Sequence, residues 1–161
     1  MITPQKYLLM AYTEAMKSPD PSTQNGAVIV AHDGVTVSDC NRFPDKVKLN
    51  PERLERPLKY QFIEHAERNV IYKAASLGVS TAGATMYVPW FACSDCARAI
   101  IQAKIAHVVG HQRMADNTPD HWKESIANAM IMLTESGVKM TMIPDVLNGP
   151  KILFNGKWWK P

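Results

Sequence analysis

The sequence predicts an α/β fold: one three-layer α/β/α domain over residues 1–161, built around a five-stranded mixed sheet. Two observations predict it. Short runs rich in Val and Ile alternate with segments of helical apolar spacing. An early hairpin signal starts the sheet antiparallel, whereas the later strands are separated by helices, which favours parallel pairing through right-handed crossovers.

Taken in order, Tyr7, Leu8, Ala11, Tyr12 and Ala15 recur at helical spacing, so residues 4–17 read as an amphipathic helix. The segment Ser18-Pro19-Asp20-Pro21-Ser22 ends it, and the residues around Ser22 and Thr23 read as a further helix start. Residues 27–30 form a buried strand, turned by Asp33-Gly34 into a partner at 35–41. Residues 43–60 carry Pro44, Pro51 and Pro57 and read as a long loop with a helical turn, a length that points to function. A helix follows at 66–77, a strand at 84–88, a helix through 97–103 and a strand at 105–110. Residues 121–136 are helical up to Gly137, and 138–143 is the fifth strand. The core thus spans about 5–143, and Asn155-Gly156 between apolar flanks makes 150–160 a tail hairpin.

The hydrophobic share of 46% and charged share of 20% are those of a soluble globular protein. Three cysteines give no disulfide framework and suit a reducing compartment, and Met1-Ile2-Thr3-Pro4-Gln5-Lys6 lacks signal-peptide form. No apolar run approaches membrane-spanning length, so a cytoplasmic protein with no membrane partner is expected. The net charge of +3 is concentrated. Arg42, Lys46, Lys48, Arg53, Arg56 and Lys59 face only Asp45, Glu52 and Glu55 between residues 42 and 60. Such confinement argues for one anionic small-molecule site and against a nucleic-acid surface.

The chemistry-bearing residues are His65-Ala66-Glu67 and Cys93-Ser94-Asp95-Cys96. His65, Cys93 and Cys96 are three zinc ligands, and no fourth is in evidence. Cys40 is the remaining cysteine, and its strand turns it away from the face presented by Asn41. A site with three protein ligands keeps a position for water, as catalytic zinc requires. Both ligand segments open helices, where thiolates are favoured by the backbone dipole. Glu67, two residues from the histidine, is the base for that water.

This His-x-Glu then Cys-x-x-Cys pattern resembles the zinc-dependent cytidine and deoxycytidylate deaminase superfamily. Within it the chain looks most like the deoxycytidylate (dCMP) deaminases, over residues 5–143. The segments Asp20 to Val30, Asn41-Arg42-Phe43-Pro44, His65 to Ile71 and Met86 to Ile101 carry the likeness. The resemblance implies a cytidine deaminase-like fold, one catalytic Zn2+ per subunit, and hydrolysis of dCMP to dUMP with release of ammonia, which supplies dUMP for thymidine nucleotide synthesis. Zinc-activated hydroxide would attack C4, with Glu67 as proton shuttle. Asn41 matches a sugar-binding asparagine, and the backbone at Ala66 would hold the base. Homo-oligomers, often hexamers, and dCTP or dTTP as effectors are also implied.

Three positions depart from the family pattern. Ala92 replaces a proline before the first cysteine, and Asn25 stands where a hydrophobic residue is usual, which aims a polar group at the pocket. Arg42 replaces a glycine next to Asn41 and is placed to grip a phosphate, which extends the expected substrates to dCTP and puts the regulation in question. Trp90 and Phe91 are candidates to stack on the pyrimidine, with core packing as the alternative. Trp158 and Trp159 are expected in tail or subunit packing. Other readings carry other signatures. A tRNA adenosine deaminase needs a wider basic surface, a free nucleoside or base deaminase has no use for a cationic loop, and a non-catalytic zinc-stabilised module needs a fourth ligand and no Glu67.

Overall fold

The computed structural model describes residues 2–161. Helix α1 (Pro4–Ala15) starts at Thr3, whose side chain accepts a bond from the Lys6 amide, with Pro4 where a missing N–H costs nothing. Strands β1 (Gly26–Val30) and β2 (Thr36–Cys40) pair antiparallel around the Asp33-Gly34 turn, with Gly34 at φ 87. Gly26 is required for close approach: a Cβ there would meet the Ala11 carbonyl oxygen at 2.1 Å.

Residues 43–58 hold a 3₁₀ turn at Pro51–Leu54 and run into the short helix α2 (Lys59–Phe62). Helix α3 (Ala66–Ser76), strand β3 (Thr85–Tyr87), helix α4 (Ser94–Gln102) and strand β4 (His107–His111) follow. A one-turn helix α5 (Gln112–Ala115) precedes α6 (Asp120–Glu135) and strand β5 (Lys139–Ile143). The sheet order is β2-β1-β3-β4-β5, with β1 antiparallel to β2 and β3, and β3, β4 and β5 parallel. This is the mixed five-stranded sheet that the sequence predicts. Strands β6 (Ile152–Phe154) and β7 (Lys157–Trp159) form the tail hairpin, turned by Asn155 and Gly156, both at positive φ. The sequence gives no sign of α5, and no helix begins at Ser22 or Thr23, where the chain instead makes a turn tied to Asp20.

Alternation along the strands sorts two cores onto opposite faces. Ala27, Ile29, Met86 and Val108 face α3, α4 and α6, whereas Val28, Tyr87 and Val109 face α1 and the tail. Trp159 packs in the second core, while Trp158 is exposed. No helix of the described residues is long and apolar enough to cross a membrane.

Candidate active site

The site lies beyond the carboxyl end of β3, where open α/β sheets place their ligands. His65 occupies the N-cap of α3 and Cys93 the N-cap of α4, with Cys96 in the first turn of α4. Neither cap makes a side-chain hydrogen bond to its helix, which leaves the imidazole and thiol for another partner. His65 Nδ1 is 3.5 Å from both Cys93 Sγ and Cys96 Sγ. For tetrahedral zinc with bonds of about 2.0 and 2.3 Å, nitrogen and sulfur ligands stand about 3.5 Å apart. The donor set and its spacing therefore fit zinc.

Two thiols so close share a proton. Hydrogen bonding from Cys96 leads the effects that lower Cys93 to about 4, while burial pushes the Cys96 thiol up. Metal binding must displace the remaining proton, so affinity weakens in acid. Arg68, one turn into α3, is paired with Glu64, and its Nη1 stands 3.6 Å from Cys96 Sγ. The sequence reading passes over Arg68, although its spacing from Glu64 across His65 is visible there.

Glu67 is 3% exposed and lines the same cavity as His65 and Cys93. Burial pushes its carboxyl above the usual carboxylate range, partly opposed by the imidazole of His65. A carboxyl raised in this way is better suited both to take and to return a proton.

The cavity is open to solvent. Ala66, Asn25, Asn41 and Trp90 also line it. Asn41 Oδ1 accepts from the Asn25 amide at 2.7 Å, and its Nδ2 donates to the Thr23 carbonyl at 2.8 Å. Asn25 is held between the Trp90 amide and carbonyl, at 3.4 Å each, so its polar side chain braces Trp90. Trp90 meets Trp122 edge-on at 5.7 Å and Phe154 at 5.1 Å. Trp122 in turn meets Tyr60 and His65, closing an aromatic wall beside the His65, Cys93 and Cys96 cluster. Trp122 escapes the sequence reading because nothing local marks a residue 57 positions from His65 as its neighbour, and Tyr60 is not singled out there although it stands five residues before His65.

Arg42 does not line the cavity. Its guanidinium is bound by Asp39 at 2.9 and 3.1 Å and by Asp45 at 2.6 Å, so two carboxylates already neutralise it. The expectation that it grips phosphate, and the dCTP substrate that rested on it, lose their basis. Of the basic loop, Arg56 and Lys59 line the cavity. Lys59 is 4% exposed and paired with Asp20 at 2.8 and 3.0 Å. Asp20 also accepts the amides of Ser22 and Thr23 and the side chain of Asn41. Cys40 is buried away from the cavity, with burial pushing its thiol up to about 11.

Residues 1–112 match the model of the cytidine and deoxycytidylate deaminase zinc-binding region. The chain belongs to this family of zinc-binding deaminases. Among its relatives, a deaminase of the luxG 3′ region of Aliivibrio fischeri is 33% identical over 89% of this chain and 95% of its own. The deoxycytidylate deaminase of Mus musculus is 35% identical over 81% of this chain and 74% of its own. The dCMP deaminase of cyanophage S-TIM5 shares the fold, with a TM-score of 0.66 at 20% identity over 87% of this chain and 96% of the other.

Proposed function

We propose that the protein is a zinc-dependent hydrolase that deaminates dCMP to dUMP with release of ammonia. The observation that carries the reading is the juxtaposition of a three-ligand His/Cys/Cys set with buried Glu67 in one open cavity. The likeness to deoxycytidylate deaminases supports the substrate.

His65, Cys93 and Cys96 would hold the metal. Zinc so held supplies a water acidic enough to act as nucleophile near neutral pH. Glu67 would take a proton from the attacking water and deliver it to N3 of the pyrimidine. It would then take the proton of the new C4 hydroxyl and pass it to the amine as the C4–N bond breaks and ammonia leaves. The helix N-terminus at Ala66 offers backbone donors to the base, and Asn41, whose Nδ2 hydrogens go to Thr23 and Asp20, keeps one lone pair of Oδ1 to accept from a sugar hydroxyl. The walls of Trp90, Phe91 and Trp122 exclude water and hold the ring by its faces and edges. Of the Lys and Arg residues that line the cavity, Lys59 is neutralised by Asp20 and Arg56 alone is left, fewer cations than an RNA backbone would engage.

Three free cysteines suit work in the cytoplasm as a single-domain subunit of a homo-oligomer, a hexamer by resemblance. Regulation by dCTP and dTTP follows from the same resemblance, and sedimentation with and without each nucleotide tests both. The primary test is ammonia release by zinc-loaded protein from dCMP, deoxycytidine, dCTP and an adenosine-containing tRNA stem-loop. Preferential turnover of dCMP is expected. Turnover of the RNA alone would overturn the substrate, and an unchanged rate in Glu67→Ala would overturn the mechanism.

A further inference from the structure

The cations around the cavity differ in what neutralises them. Arg42 is held by two carboxylates, Arg68 by Glu64, and Lys59 by Asp20. Arg53 lies over the Phe62 ring at 4.4 Å and does not line the cavity. Arg56 is the exception. It lines the cavity and is exposed, and among the described residues it forms no ion pair. Its hydrogen bond is to a neutral oxygen, Ser22 Oγ, at 3.2 Å. The turn beneath it is fastened on two sides. Asp20 accepts the Ser22 and Thr23 amides, and the tail hairpin bonds Ser22, Thr23 and Gln24 through Gly156, Asn155 and Leu153.

We propose that Arg56, set on the Ser22–Thr23 turn, is the specificity-determining residue that selects a nucleoside monophosphate over the nucleoside and the triphosphate. The inference rests on the deaminase reading above. A guanidinium forms two parallel bonds to one phosphate, and Arg56 can offer both without breaking an ion pair. Lys59 cannot serve in its place, since turning to a ligand would strand the buried Asp20 carboxylate without a counter-charge. Because Asp20 cancels Lys59, this end of the cavity holds one uncompensated cation, enough for one phosphate group. Lys46 and Lys48 lie outside the cavity, so β- and γ-phosphates would find no fixed partner.

The test compares kcat/KM for dCMP, deoxycytidine and dCTP in wild type, Arg56→Gln and Arg56→Lys, with binding of dUMP and deoxyuridine measured by calorimetry. Wild type should prefer dCMP to both alternatives. In Arg56→Gln the preference for dCMP over deoxycytidine should fall by about 10- to 100-fold, the effect of losing charge-assisted bonds. The loss should appear in KM, with kcat for dCMP changed less than about threefold. Arg56→Lys, which keeps the charge but not the fork, should lie between. An unchanged dCMP-to-deoxycytidine ratio in Arg56→Gln, or wild-type preference for dCTP, overturns the proposal. Failure of wild type to release ammonia from any of the three would overturn the reaction itself. The calorimetric arm still decides the role of Arg56 in that case, because equal loss of dUMP and deoxyuridine binding would refute it.

Discussion

The two ends of the cavity are built in different ways. At the metal end, His65, Cys93 and Cys96 come from two short segments, each at a helix N-terminus, with the reactive residues of each segment only two or three positions apart. At the opposite end, Asp20, Asn41 and Lys59 arrive from three segments separated by 21 and 39 positions and meet in one buried polar hub. The first end is specified by local spacing and helix geometry. The second exists only once the sheet, the 43–58 loop and the tail hairpin have assembled around it. Damage at the metal end should therefore remove chemistry and leave the fold, whereas damage at the hub should cost stability and substrate affinity together.

The largest effect is expected at the metal end. Glu67→Gln should lower kcat by about 10³-fold or more, since general acid–base catalysis contributes roughly 10²–10⁴ and this residue would act at several steps. Zinc content should stay at one per chain by atomic absorption, and the unfolding midpoint should hardly move. Cys96→Ser, in contrast, should lose metal as well as turnover. A Glu67→Gln protein without zinc would mean that the carboxylate ligates the metal, and the division between ligands and base would fail.

Next comes the hub. Asp20→Asn leaves Lys59 buried and uncompensated, which should cost about 3–5 kcal/mol in a denaturant titration. The turn at Ser22 and Thr23 would loosen with it, so KM for dCMP should rise. The Asp20→Asn/Lys59→Met pair removes both charges and should recover much of the stability without recovering KM. Full recovery of both would mean that the hub has no part in substrate binding. A loss of stability near zero for the single variant would show that water reaches the pair.

This contrast also explains what could be read from the sequence. The mixed sheet, the tail hairpin and the grouping of His65, Cys93 and Cys96 follow from period, turn chemistry and motif spacing, all of them local. Arg42 was misassigned because its neighbour Asn41 faces the cavity, yet adjacent strand residues point to opposite faces, and Asp39 and Asp45 take up the guanidinium. Applying to Arg42 the alternation already used for Cys40 would have removed it. Trp122 and Tyr60 had no such clue. The place of Trp122 depends on α6 packing across α4 and that of Tyr60 on where the 43–58 loop delivers α2, and the charge count over 42–60 could not distinguish the carboxylate-bound Lys59 from Arg56.

A smaller effect tests whether the tail belongs to the hub. Gln24 exchanges bonds with Leu153 through its backbone amide at 2.8 Å and its side-chain Oε1 at 2.9 Å. Gln24→Ala removes the second and should cost about 1 kcal/mol, with a modest rise in KM for dCMP and little change for deoxycytidine. Equal rises for both would assign the hairpin to general support and detach it from phosphate binding.

The smallest effect concerns a second long-range polar chain, on the other face of the sheet, and asks whether such assemblies matter away from the cavity. His111 is fully buried, 2.6 Å from the Tyr12 hydroxyl at Nδ1 and 2.9 Å from the Asp145 carbonyl at Nε2, while Trp159 donates to Tyr12 at 3.3 Å. The carbonyl requires Nε2 to carry a proton, and burial favours the neutral ring, in which Nδ1 accepts from Tyr12. Burial lowers its pKa, the Asp145 carbonyl opposes that, and nearby Arg113 adds to it. With the folded value depressed, the unfolded chain binds the extra proton more readily as pH falls. The contribution of His111 is thus fully present above about pH 6.5, the unfolded value, and is lost as pH drops through the folded value. Thermal melts from pH 8 to 5 should show a steeper loss for wild type than for His111→Gln. Parallel curves would mean that the neutral ring adds nothing specific, and that only the polar hub at the cavity depends on its charge state.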